Sequence, residues 1–178
     1  YQAAFSVHVP TSSALKAEGV LVAAVAAGGE HSVFVDRSGV VYSCGRGDRG
    51  QTGHPRSALK PMPGGVLCAT RPTVVDEPLK LAGMRDPIIR VAAAACGARH
   101  TLLLAQNGRV YACGDNAHGQ LGTGSAGEPA DGALSAVEQV DALKAVRIER
   151  VAAGEAHSLF LGTHGEVHPC VPPPPPPP

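Results

Sequence analysis

Three stretches of the chain open on a histidine and then stay apolar without polar alternation: His-Ser-Val-Phe-Val (31 to 35), His-Thr-Leu-Leu-Leu (100 to 104) and His-Ser-Leu-Phe-Leu (157 to 161). Short runs of this kind, bounded by turn residues, predict strands covered on both faces. Each is followed by a polar turn that ends in glycine, over 36 to 39, 106 to 108 and 163 to 165. Glycine there suits a backbone of positive φ, and Asn107-Gly108 is the strongest hairpin signal in the chain. A second run, Val-Val-Tyr-Ser-Cys (40 to 44) or Arg-Val-Tyr-Ala-Cys (109 to 113), completes a β-hairpin. Upstream, the small apolar segments 20 to 27, 88 to 95 and 147 to 153 predict a strand entering each hairpin.

With His31, His100 and His157 in register, Gly28, Gly97 and Gly154 fall three positions earlier, and Ala26, Ala95 and Ala152 five earlier. Gly39, Gly108 and Gly165 fall eight later, Val41, Val110 and Val167 ten later, and Cys44, Cys113 and Cys170 thirteen later. The copies are offset by 69 and then 57 residues, so one unit recurs while its connections change length, as in repeat architectures. Within these units, Val-Ala-Ala-Gly-Glu-Ala-His-Ser-Leu (151 to 159) and Val-Tyr-Ala-Cys-Gly-Asp-Asn-Ala-His-Gly-Gln-Leu-Gly (110 to 122) resemble repeats of the RCC1 (regulator of chromosome condensation) family. The resemblance covers 25–53, 94–122 and 151–170. It implies an all-β fold, a β-propeller of four-stranded blades. The first copy departs with Arg46 and Gly47 where the second has Asp115 and Asn116, and with Thr52 in place of Leu121. The third runs into Val171 where glycine is expected.

Propellers close with about four to eight blades. The expectation is therefore a partial propeller of two to three blades over residues 1–171, open unless completed by further blades in the same or another chain, since open blades present unpaired strand edges. A Pro-rich insertion over 54–90, with Pro55, Pro61, Pro63, Pro72, Pro78 and Pro87 around Gly64-Gly65, is expected to be an irregular excursion with little helix. The tail Pro172, Pro173, Pro174, Pro175, Pro176, Pro177 and Pro178 is expected as a polyproline II rod. It is a plain spacer or, failing that, a ligand for a polyproline-binding domain, although no Lys or Arg flanks it.

Composition narrows the function. Lys plus Arg and Asp plus Glu are both 15, so there is no global field for a polyanion and nucleic acid is not an expected partner. The longest apolar stretch, Val20 to Ala27, falls far short of the about 20 residues of a membrane span. No secretory address leads the sequence, and five Cys without Cys-x-x-Cys spacing argue against a disulfide framework and a zinc site. An intracellular, reducing setting is expected, cytoplasmic or cytoskeleton-associated.

Gly45-Arg46-Gly47-Asp48-Arg49-Gly50 matches a dinucleotide-binding pattern, but Gly53 and Pro55 follow where the motif needs a helix, so a repeat turn is the preferred reading. Arg46-Gly47-Asp48 as an integrin-type tripeptide is read as coincidence. His31, His100 and His157 could be imagined as a metal triad, yet their identical repeat position favours a hydrogen bond that fixes the turn. Cys44, Cys113 and Cys170 read as small buried hydrophobes rather than reactive thiols. No nucleophile elbow, Walker loop or His-Glu-x-x-His occurs, and neither an enzyme nor a cofactor is expected. The polar turn residues Arg46, Asp48, Arg49, Asp115, Asn116 and His118 are the candidates for contact with a partner. The expected function is a non-enzymatic protein-interaction module. What the resemblance also implies is guanine-nucleotide exchange on a small GTPase, or targeting within a larger regulatory, ubiquitin-ligase or ciliary assembly.

Overall fold

The computed structural model describes residues 15–16, 18–75, 89–124 and 137–170. The Pro172 to Pro178 tail and the part of the insertion that holds Pro78 and Pro87 lie outside them. The described strands form three antiparallel sheets. Blade 1 is built from β1 (Val22–Ala27), β2 (His31–Asp36), β3 (Val41–Arg46), β4 (Lys60–Pro61) and β5 (Leu67–Val74), in the order β1-β2-β3-β5-β4. Blade 2 takes β6 (Val91–Cys96), β7 (His100–Ala105), β8 (Val110–Gly114) and β9 (Glu138–Gln139) in sequence order. Blade 3 has β10 (Ile148–Ala153), β11 (Ser158–Gly162) and β12 (Val167–Cys170). No helix among the described residues is long and apolar enough to cross a membrane.

The repeat is reproduced pair by pair. Val25 faces Phe34, Ala94 faces Leu103 and Val151 faces Phe160. Each of these inner pairings shifts register at the same place, between Val22 and Ala24, Val91 and Ala93, and Ile148 and Arg150, a bulge that increases local twist. The hairpin glycines Gly39, Gly108 and Gly165 have φ of 84, 82 and 85°, as the turn chemistry requires. The architecture is all-β and blade-like, a partial propeller.

The insertion differs from expectation. Its described part, through Val75, is not irregular: β5 supplies the fourth strand of blade 1, and a short hairpin with β4 extends it. Pro72 fits because it lies where the β3–β5 pairing shifts register, between Ser43 and Gly45, so no ladder bond is asked of its missing N–H.

Burial shows how the blades stack. β7 and β8 in the central blade are buried at every residue, whereas β2 and β11 alternate buried and less buried positions. One core layer joins Val33, Val35 and Val41 of blade 1 to Leu103, Tyr111 and Cys113 of blade 2. A second joins Leu102, Leu104 and Val110 on the other side of blade 2 to Ile148 and Phe160 of blade 3. At roughly 1.5–3 kcal/mol for each fully buried large apolar side chain, these layers are the main cohesion between blades.

Candidate functional site

The repeated histidines do not fix their own turns, as the sequence suggested. They bridge blades. His31 Nε2 lies 2.8 Å from the Thr101 hydroxyl, and that hydroxyl donates to the Gln51 carbonyl at 2.7 Å. One joint further on, His100 Nε2 lies 3.0 Å from Ser158 Oγ, which donates to the Gln120 carbonyl at 2.7 Å. A hydroxyl has one proton, and here the carbonyl takes it. Nε2 must then carry the proton donated to the hydroxyl, which sets the ring as the neutral Nε2–H tautomer.

Nδ1 of His31 and of His100 is buried without a partner. Protonating either would place a bare charge in the joint, so burial, reinforced for His31 by the neighbouring His100, pushes its pKa down to about 4. His100 is likewise pushed down to about 4 by burial, with Asp115 opposing and His157 adding to the shift. The glycine three residues upstream is explained by the same ring: a Cβ on Gly28 would sit 2.5 Å from His31 Nδ1 and 2.6 Å from the Gly97 carbonyl. Gly97 stands in the same relation to His100 and to the Gly154 carbonyl, and Gly154 to the ring of His157. His157 itself is exposed, at the face of blade 3 turned away from blade 2. The three histidines thus occupy successive joint positions.

Two residues missed by the sequence reading complete the joint. Gln51 and Gln120 each lie twenty positions after a repeat histidine, and each side chain also accepts from its own turn, from Arg49 N–H and His118 N–H at 2.9 Å. The hydroxyl residue following every histidine, at Ser32, Thr101 and Ser158, was the other available signal. Blade 1 carries a related arrangement at Ser43, whose hydroxyl donates to the Thr52 carbonyl at 2.6 Å with His54 Nε2 2.9 Å away. With its proton directed to a carbonyl, and only 1% exposed, Ser43 is not set up as a nucleophile.

The turns after β3 and β8 share one rim, because Arg46 N–H bonds the Glu30 carbonyl and Asp115 N–H the Arg99 carbonyl. The pairing of Arg46 with Cys68 places the β4–β5 hairpin at that rim too. Arg46 is held by its neighbours: Nε and Nη2 clamp Asp48 at 2.8 Å each, and Nη1 reaches Glu30 at 2.6 Å. These bonds raise the Arg46 pKa. Burial works to raise that of Asp48, but the Arg46 contacts prevail and hold it below the usual carboxylate range. Asp115 and Asn116 are buried and bond the turn amides of Ala117 and Leu121 at 3.0 Å. Arg49 is half-buried, and His118 is exposed. After Gly50 the chain turns through Gly53 with no helix, and the Gly47 N–H is bound to the Leu67 carbonyl, so the glycine-rich stretch has no phosphate cradle. Burial pushes the Cys113 thiol up to about 12, with Cys96 adding to it, and Cys44 up to about 11. Cys170 is half-buried and is likewise raised by burial.

Comparison with known proteins agrees with this geometry. The Regulator of chromosome condensation (RCC1) repeat matches residues 38–104 and 107–161, and a second description of the same repeat matches 22–51 and 91–120. Human E3 ubiquitin-protein ligase HERC2 is 32% identical over 148 residues, 82% of this chain and 2% of the ligase. The ultraviolet-B receptor UVR8 of Arabidopsis thaliana is 31% identical over 144 residues, covering 80% of this chain and 28% of the receptor. Among solved structures, Prp20p from Saccharomyces cerevisiae superposes with a TM-score of 0.65 at 23% identity over 87% of this chain and 32% of its own. Human WBSCR16 does so with 0.65 at 23%, over 84% and 35%. The chain spans less than a third of the length of the ligase and of the ultraviolet-B receptor. The matched repeats, the blade register and the superpositions converge on one conclusion: the chain belongs to the RCC1 repeat family and folds as part of an RCC1-like β-propeller.

Proposed function

We propose that the chain is a non-enzymatic protein-interaction module whose binding surface is the rim formed by turns 47–54 and 115–122 and the β4–β5 hairpin. One observation carries this reading. Gln51 and Gln120 tie each rim turn both to its own backbone and to the hydroxyl of the next blade, so the loop tips are held at fixed spacing before any partner arrives. A surface ordered in advance loses little entropy on binding. The exposed side chains on it include Arg56, Lys60 and His118, while Arg46 and Asp48 are occupied with each other. The setting in this reading is reducing and intracellular, in keeping with five cysteines held as thiols.

A second reading is a surface for a small GTPase, favoured by the fold relative Prp20p, whose structure is described with its binding to Gsp1p and histones. Nucleotide release from a panel of small GTPases, with and without the full chain, separates the two, and acceleration would favour exchange. For the interaction module, binding to a captured partner is compared for a rim variant, Arg56→Glu with Lys60→Glu, and an opposite-rim variant, Arg109→Glu. Loss in the rim variant alone is expected; equal loss in both, or in neither, refutes the assignment of the rim.

A further inference from the structure

The rim and the inner turns that border it, 28–30, 97–99 and 154–156, carry a one-sided charge once their internal pairs are set aside. The two ion pairs among the described residues both belong to Arg46, which occupies Asp48 and Glu30. Asp115 is 9% exposed and spends Oδ1 on the Ala117 amide. What remains exposed is Arg56, Lys60 and Arg99, against Glu155 as the one exposed carboxylate here without a partner among the described residues. The backbone fixes where these cations stand. Lys60 and Arg46 both pair with Cys68, so the three residues form one row across β4, β5 and β3, with Lys60 two strand spacings, about 10 Å, outside Arg46. Arg56 is set over the same turn by its Nη1 bond to the Asp48 carbonyl at 3.4 Å, and Arg99 by the bond of its own carbonyl to the Asp115 N–H at 2.9 Å. The cations therefore run from the outer edge of blade 1 inward to the turn that leads into β7. Among the described residues no aromatic ring is exposed along this line, since Tyr42 is 8% exposed and Tyr111 2%, so nothing here stacks a nucleobase.

We propose that the occupant of the rim is an extended, carboxylate-rich peptide segment of another protein, crossing from the β4–β5 hairpin to the turn before β7 with its acids on Lys60, Arg56 and Arg99. The inference rests on the rim reading and adds the chemistry of the partner. Because the rim turns are already ordered by Gln51 and Gln120, the acids meet charges at fixed anchor points, and little ordering is left for the moment of binding. Charge complementarity of this kind selects the partner and steers its approach. The chain as a whole has 15 acidic and 15 basic residues, so it exerts no global attraction on an anion, and binding of one reports a local field.

The test is fluorescence anisotropy of the full chain with a labelled peptide of alternating Glu and Gly, about twelve residues long and up to about 40 Å when extended. A Lys–Gly peptide of the same length and a single-stranded oligonucleotide are measured beside it. At about 10 mM salt, where screening sets in over about 30 Å, the acidic peptide binds and the other two do not, and its binding weakens as salt is raised to about 0.15 M. An exposed ion pair contributes up to about fivefold, so Arg99→Glu weakens binding by about fivefold and Arg56→Glu with Lys60→Glu by at least about tenfold. Arg109→Glu on the opposite rim leaves it unchanged. All four positions are exposed, so the variants keep the circular dichroism of the unaltered chain. An acidic peptide that fails to bind, or a basic peptide or oligonucleotide that binds at least as tightly, overturns the chemistry assigned to the partner. The rim reading itself then still stands if the captured partner is lost with the rim variant alone. Equal loss of the acidic peptide in Arg109→Glu and in the rim variant overturns the site.

Discussion

Replacing Thr101 tests the joint between blades directly, because the residue can be changed in two ways that reverse the ordering expected from size. Thr101→Val keeps the shape and removes the hydroxyl. Thr101 is 2% exposed, so the loss strands the His31 Nε2–H that lies 2.8 Å away and leaves the Gln51 carbonyl, 2.7 Å away, with only the long bond from the Cys113 thiol at 3.9 Å. An orphaned buried polar group costs about 1–3 kcal/mol, which makes the expected destabilisation about 2–5 kcal/mol. Thr101→Ser keeps the hydroxyl and loses one methyl, for about 1 kcal/mol. Urea unfolding at neutral pH and one fixed protein concentration reads the difference. With an m-value of about 2 kcal/mol per molar, valine lowers the midpoint by about 1–2.5 M and serine by about 0.5 M. If the valine variant proves as stable as the serine variant, the hydroxyl is not the bridge between His31 and Gln51, and the joint rests on apolar packing alone.

Thr52→Val has the opposite expectation: the Thr52 hydroxyl is buried without a partner, so the same chemical change is neutral or stabilises by up to about 1 kcal/mol in the same urea assay. The neutral histidines make the fold acid-sensitive. Their folded pKa of about 4 lies below the ordinary histidine value of 6.5, so the unfolded state binds more protons between these values. The stabilisation is complete above about pH 6.5 and is lost as pH falls toward 4, by at most about 3 kcal/mol for each ring, which a series of urea midpoints across that range measures. Gly97→Ala drives a methyl into the His100 ring and to 2.5 Å from the Gly154 carbonyl, and it lowers the thermal midpoint far more than Gly64→Ala at the open hairpin tip. Cys113, with its thiol pushed up to about 12, resists a thiol-specific reagent at pH 8 in the folded chain and reacts once the chain is unfolded, as mass spectrometry of the labelled peptide would show.

The legible part of the fold was what lies within one repeat. The runs after His31, His100 and His157, the hairpin glycines and the entering strands sit within a few residues of where periodicity and turn chemistry put them, because strand burial and positive φ leave marks on adjacent residues. The fourth strand of blade 1 was not legible. Its Pro72 reads as a strand breaker, and only the register shift opposite Ser43 and Gly45 shows why proline is tolerated. The polar rim residues were found by their type, but type does not say whether a charge is free. Arg46 turned out to be clamped between Asp48 and Glu30, and Asn116 to be consumed by a turn amide, while His118 stayed exposed.

The histidine was found for one role and has another, and the reason lies in what a repeat can encode. A hydrogen bond inside a turn and a hydrogen bond to the next copy both recur at a fixed offset, so regular spacing alone cannot tell them apart. The distinguishing sign is that three residue types recur together: the glycine that admits the ring, the histidine, and the hydroxyl residue directly after it. Within one copy that hydroxyl cannot serve its own neighbour's ring, since adjacent residues in a strand point to opposite faces. Histidine and hydroxyl on opposite faces of every blade are a donor on one side and an acceptor on the other, so the Gly-x-x-His-Ser/Thr signature belongs to the joint between blades. Each blade then carries both halves of the contact, one on either face, and the His31–Thr101 and His100–Ser158 pairs are where the two halves meet.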